Sequence, residues 1–148
     1  MKVFRGMIPD EDQLPRIGAT GRTLGARPGY AADEIDSEDA LKPGDTIRPD
    51  IPVSEEGMVQ PVTGGMSVAL PPLTNLRPHR RPPKHGGMPS GKKLEVYELE
   101  TDDLPDMLRC RRDPYGFTVH AFIEPGWEMS FEEYQQALHR TRMLWRIV

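Results

Sequence analysis

Apolar residues in this chain gather in short bursts, none near the roughly 18 residues a membrane span needs, and the spacing within each burst predicts its form. Val3-Phe4-Arg5-Gly6-Met7-Ile8 is closed by Pro9-Asp10 and reads as a strand entering a loop. Thr63-Gly64-Gly65-Met66-Ser67-Val68-Ala69-Leu70 is a glycine lead into a second strand, stopped by Pro71-Pro72. Three further strand-like runs cover 94–99, 108–112 and 117–123, with turn signals at Asp102-Asp103-Leu104-Pro105 and Asp113-Pro114-Tyr115-Gly116. Two antiparallel connections are the economical way to join them. The last element has the clearest pattern. Ser130 with Glu133 three residues later is a capping box, and Phe131, Tyr134, Leu138, Thr141 and Trp145 recur on one helical face, as for a helix lying on a sheet.

Between the bursts the chain is irregular. Its 14 glycines and 16 prolines make up about a fifth of 148 residues, against an average usage of roughly 12%, so much of the chain is turn, loop or extended backbone. Collagen is excluded by the lack of a Gly-X-Y period, and a helical bundle by the prolines that interrupt the segments before residue 126. Residues 31–41 carry a candidate short acidic helix capped at Asp36 or Ser37, and Pro49-Asp50-Ile51-Pro52-Val53 is extended by proline geometry. The expectation is one α+β domain spanning residues 1–148, a loop-rich mixed or antiparallel sheet of about five short strands with a C-terminal helix.

Charge changes this picture locally. Nine acids fall between Asp33 and Glu56, against Lys42 and Arg48, whereas Arg77, Arg80, Arg81, Lys84, Lys92 and Lys93 follow one another without an acid. These read either as two solvated loops whose charges offset each other or as an anion site on a mobile basic Pro/Gly loop. No Phe, Tyr or Trp interrupts the basic run, which disfavours nucleic-acid binding by base stacking. Cys110 is the sole cysteine, so no internal disulfide or Cys-x-x-Cys site can form; its neighbouring arginines would lower its pKa, but burial is the better reading. His79, His85, His120 and His139 lack zinc-helix spacing, and no metal is expected. The N-terminus lacks an apolar run of signal-peptide length, so action in a reducing cytosol is expected, with any export by a route needing no cleavable signal.

Val3-Phe4-Arg5-Gly6 resembles the first-strand arginine motif of the Arg-Ser-Glu class of ADP-ribosyltransferases. Asp50-Ile51, Gly57-Met58-Val59-Gln60-Pro61 and Thr63-Gly64-Gly65-Met66-Ser67-Val68 are similar to the central segment of the type VI secretion toxins with an ADP-ribosyltransferase-like fold. His120-Ala121-Phe122-Ile123-Glu124-Pro125, with Met129 and a closing helix bearing Trp145, is similar to their ends. The resemblance follows chain order over most of the chain. It implies an ADP-ribosyltransferase-like bacterial toxin that takes NAD as substrate in the cytoplasm of a target cell. It further implies an immunity or antitoxin partner, a macromolecular target and delivery by a secretion system. No membrane partner is implied.

Cleaving the nicotinamide bond passes through an oxocarbenium-like cation, so the pyrophosphate must be held, the ribose oriented and developing charge stabilised. The resemblance assigns Arg5 and Gly6 to the pyrophosphate side and Gly65 to close ligand approach. It gives Ser67 and His120 both binding and catalytic roles, and Glu124 the catalytic carboxylate. Met66 stands before Ser67 where the superfamily often has Ser or Thr, and no glutamate lies two residues before Glu124, which moves weight to His120. Each residue also has an ordinary alternative: a structural ion pair for Arg5, a backbone-bonded hydroxyl for Ser67, a half-buried ring for His120 and a turn for Glu124 before Pro125-Gly126. Trp127 and Trp145 read as core or rim aromatics. No P-loop or Gly-x-Gly-x-x-Gly occurs, so NAD would not bind in Rossmann fashion. The reading from another class is a non-enzymatic interaction module with a degenerate transferase pocket, using the basic loop at Arg80, Arg81 or Lys84.

Overall fold

A computed structural model describes residues 1–28, 49–89, 93–114 and 119–148. The acidic helix expected over 31–41 and the start of the run at 117–118 lie outside the described residues. Among the described residues, eight strands and one α-helix follow in chain order: β1 (Lys2–Met7), β2 (Met58–Val59), β3 (Met66–Ala69), β4 (Glu95–Glu100), β5 (Leu108–Arg112), β6 (His120–Pro125), β7 (Met129–Ser130), α1 (Phe131–Arg140) and β8 (Arg146–Ile147). Six strands form one antiparallel sheet in the order β5-β6-β3-β1-β4-β8, and β2 pairs with β7 beside it. The described residues are thus α+β, with a mostly antiparallel sheet and one C-terminal helix.

The sheet order corrects one expectation. β5 and β6 do form a hairpin, but β4 is not their neighbour: it pairs with β1 over six positions, and the chain then crosses to the far end of the sheet to begin β5. Sequence adjacency is only the commoner arrangement. Tyr97 and Leu99 of β4 bury on the same core as Val3 and Met7 of β1, which the long β1–β4 ladder brings side by side.

Strand β1 is buried on both faces. Val3 and Met7 join Val68, Ala121 and Ile123 beneath the Tyr134, Ala137 and Leu138 side of α1, while Phe4 packs with Ala69 and Val96 under Leu73 and Leu76 on the opposite face. That second cover is the proline-rich segment expected to be a mobile basic loop. It is instead a succession of single 3-10 turns at Leu73–Asn75, Pro78–Arg80 and Pro83–His85, pressed onto the sheet. A Cβ on Gly6 would lie 2.0 Å from the Arg80 carbonyl oxygen, so glycine there lets the turn approach.

The helix begins as expected and ends early. Ser130 accepts from the Glu133 amide at 3.0 Å and Glu133 accepts from the Ser130 amide at 3.3 Å, completing the capping box. After Arg140 the chain tightens into a 3-10 turn, and the Trp145 indole donates back to the Thr141 hydroxyl at 3.0 Å. Trp145 is therefore a core residue beyond the helix, and β8 follows at the sheet edge.

Candidate functional site

β1 and β3 are neighbours, yet they share a single paired position, Phe4 with Ala69. Beyond it the ladder is broken, and Arg5 occupies the break. Its side chain is buried and bridges three backbone carbonyls: Nη1 donates to Ser67 at 2.6 Å, Nη2 to Thr20 at 3.1 Å and Thr23 at 3.0 Å, and Nε to Thr23 at 3.2 Å. Burial pushes its pKa down to about 10, opposed by Asp50 and aided by Arg80 and Arg27; the guanidinium remains a cation at neutral pH.

Above the break lies a cavity of about 560 Å³, within the usual size range for small-molecule sites. Arg5, Gly6, Ser67 and His120 all line it, so three segments far apart in sequence converge through the adjacent strands β1, β3 and β6. Further wall comes from Arg27, Asp50, Arg77, His79, Arg80 and Asp113. Four arginines face two aspartates there, a local cationic excess in a chain whose formal charge is −4. The site favours an anion.

Two predicted site residues do not line this cavity. Glu124 is fully buried and does not line the cavity, although it lies on β6 four residues from His120. Its Oε1 meets Arg111 Nε at 2.6 Å and Arg109 Nε at 3.5 Å, and its Oε2 accepts from the Val62 amide at 2.6 Å. The cause is cross-strand register, which sets Arg109 opposite Glu124. The carboxylate is also the acceptor for a turn in which the β-branched Val62 holds φ at +63°.

Gly65 is likewise absent from the cavity wall. A Cβ there would stand 2.6 Å from the Ile123 carbonyl oxygen, so the missing side chain makes room for β6 rather than for a ligand. The same junction is clamped by Tyr134 of α1, whose hydroxyl donates to the Ile123 carbonyl at 2.5 Å and accepts from the Met66 amide at 2.9 Å. Burial raises the Tyr134 pKa, keeping the phenol neutral.

His120 is part-exposed at the cavity. Its Nδ1 lies 3.2 Å from Asp113 Oδ2, and its ring meets the Phe122 ring edge-on at 4.8 Å between centroids. Asp50 is fixed by the Arg27 amide at 2.7 Å and the Arg27 guanidinium at 3.6 Å. The basic run splits in two. Arg77 and Arg80 face the cavity, whereas Arg81 donates to the Leu76 and His85 carbonyls of its own loop at 2.8 and 2.5 Å, and Lys84 pairs with Glu95 at 2.6 Å. Cys110 is half-buried and burial raises its pKa, which disfavours a thiolate.

Sequence reasoning missed Asp113, read as a turn residue, and Arg27, for which the sequence carries no signal. Asp113 had one: an acid at the end of one strand and a histidine at the start of the next are cross-strand neighbours if the two form a hairpin. No protein-family model and no curated protein matches the chain.

Proposed function

We propose that the cavity binds NAD and that the protein is an ADP-ribosyltransferase-like bacterial toxin acting in the cytoplasm of a target cell. The observation that carries this reading is the convergence of Arg5, Gly6, Ser67 and His120 on one cationic cavity. The fold proposed with it is the ADP-ribosyltransferase-like one, supported by a sheet whose ladder breaks beside its first-strand arginine. In this reading Arg77 and Arg80 face the pyrophosphate, a role suited to guanidinium forks. Arg5 sets the cleft floor through the Ser67 carbonyl, leaving the Ser67 hydroxyl and the His120 ring for the nicotinamide ribose. Delivery by a secretion system and an immunity protein covering the cleft belong to the same proposal.

Titration with NAD and an assay for nicotinamide release test it. Binding, with turnover lost in Ser67→Ala and His120→Ala, is the expected result; no binding, transfer or release by the wild-type chain overturns it. Expression should harm the producing cell, and the same substitutions should relieve the harm.

Two observations favour the second reading, a non-catalytic module on a degenerate transferase fold: the carboxylate of Glu124 is sealed, and the Arg5 guanidinium is committed to carbonyls. That module predicts unchanged cellular activity in Ser67→Ala and His120→Ala, with partner binding lost on changes in the basic loop at Arg80 or Lys84.

A further inference from the structure

We propose that Asp113 is a positioning residue of the cleft, holding His120 as the Nδ1–H tautomer so that Nε2 is the proton acceptor presented to the cavity. This rests on the NAD reading for the substrate, but the placement of the pair does not depend on it. Both residues line the cavity, with Asp113 Oδ2 3.2 Å from His120 Nδ1.

The pairing follows from the hairpin. β5 ends at Arg112, and the Asp113 amide donates to the His120 carbonyl at 3.0 Å, setting the two residues side by side. An ionised carboxylate can only accept, so the imidazole nitrogen facing it donates. A neutral imidazole carries one N–H, and Nε2 is then left with its lone pair. The ring is steadied by Phe122 on the same strand, which itself lies under the Arg111 guanidinium at 5.3 Å. The carboxylate the resemblance assigned to catalysis cannot compete for the role, because Glu124 is buried against Arg109, Arg111 and Val62.

In the proposed transfer, the acceptor hydroxyl or water loses its proton to Nε2 as its oxygen forms the new bond to C1 of the ribose. The C1–N bond breaks with its electron pair going to nicotinamide, which leaves neutral. His120 is then the imidazolium, stabilised in that form by the carboxylate behind it.

Long-range proton–nitrogen NMR on the full chain, at a pH where the ring is neutral, reads the tautomer directly; His120→Gln assigns the signals. The wild type should show a protonated Nδ1 and an unprotonated Nε2, and Asp113→Asn should invert that pattern, since an amide N–H can donate to Nδ1. Asp113→Asn should also lower NAD consumption at saturating NAD by about a hundredfold, in the range general bases contribute, with NAD affinity changed less than about twofold. An Nε2–H tautomer in the wild type overturns the proposal. So does a wild-type pattern that persists in both Asp113→Asn and Asp113→Ala, or undiminished turnover in Asp113→Asn. If the tautomer and its inversion are as expected while the wild type neither binds nor consumes NAD, the NAD reading fails and the positioning role of Asp113 stands.

Discussion

The two ends of β6 use similar residues for opposite purposes. At one end His120 meets an acid, Asp113, beside an open cationic cavity; four residues along, Glu124 meets arginines and is closed off from solvent. Both side chains lie on one face of the strand, roughly 13 Å apart along it at the usual rise per residue. What differs is the neighbouring strand. Toward Glu124, β5 supplies Arg109 and Arg111 and the 60–62 turn closes over them, whereas at His120 β5 has ended and, among the described residues, Asp113 stands beside the ring. A polar side chain becomes a structural anchor or a cleft group according to whether a paired strand continues beside it.

The strongest test of that contrast is removal of the anchor. Glu124→Ala strips the Val62 amide of its acceptor and leaves Arg111 without its carboxylate, and should cost about 3–5 kcal/mol, measurable as a lower denaturation midpoint. Glu124→Gln keeps the shape and, if the cavity takes NAD as proposed, should leave its affinity for NAD unchanged. If Glu124→Gln folds normally yet stops nicotinamide release, the carboxylate belongs to the chemistry and the contrast is wrong.

A smaller effect is expected at the clamp beside the sealed end. Tyr134→Phe removes one hydroxyl and leaves the Met66 amide and the Ile123 carbonyl short of a partner, at a cost of about 1–3 kcal/mol. Because Tyr134 ties β3 to β6 at the sealed end, hydrogen exchange should rise first near Met66 and Ile123, with His120 and Asp113 affected less. Uniform loosening along β6 would mean the ends are not separable.

Whether a feature is legible in the sequence depends on whether its signal is local. The α1 capping box sits within four residues and is legible, as are the five main strands, each a local run bounded by its own turn signals. Arg5, Ser67 and His120 can be singled out because their motifs are local too. The partners of Glu124 are hidden, since Arg109 reaches it only through the β5–β6 register and Val62 only through a turn over sixty residues away in sequence. The role of Gly65 is hidden for the same reason: the oxygen that excludes a Cβ belongs to Ile123. β2, β7 and β8 are two-residue strands, too short for period-two alternation to register.

The cleft end also leans on the loop that follows β1, the stretch carrying Thr20 and Thr23. That loop is pinned to the C-terminal turn by an ion pair of Arg142 with Asp10. The Arg142 hydrogen bond holds the Asp10 carboxyl below its usual range, helped by the amides of Asp12 and Leu14. A depressed folded value means the contribution is present above the unfolded pKa of about 3.9 and is lost as pH falls through the lower folded one. Asp10→Asn should therefore flatten part of the acid slope of stability below about pH 4 while changing neutral stability little, as expected of a solvent-screened pair. An acid slope identical to the wild type would show that the pin does not hold the loop.

The smallest change in stability, and the sharpest in function, is expected at Ser67. Arg5 holds the Ser67 carbonyl, which any residue supplies, so Ser67→Ala should leave the folded state within about 0.5 kcal/mol of the wild type. Arg5→Lys, by contrast, cannot reach three carbonyls with one ammonium in the same geometry and should destabilise the break between β1 and β3. If NAD turnover disappears in Ser67→Ala while the denaturation midpoint stays fixed, the hydroxyl serves the ligand and the carbonyl serves the fold. A midpoint that falls together with turnover would make Ser67 an anchor like Glu124, and the open end of β6 would have lost its distinction from the sealed one.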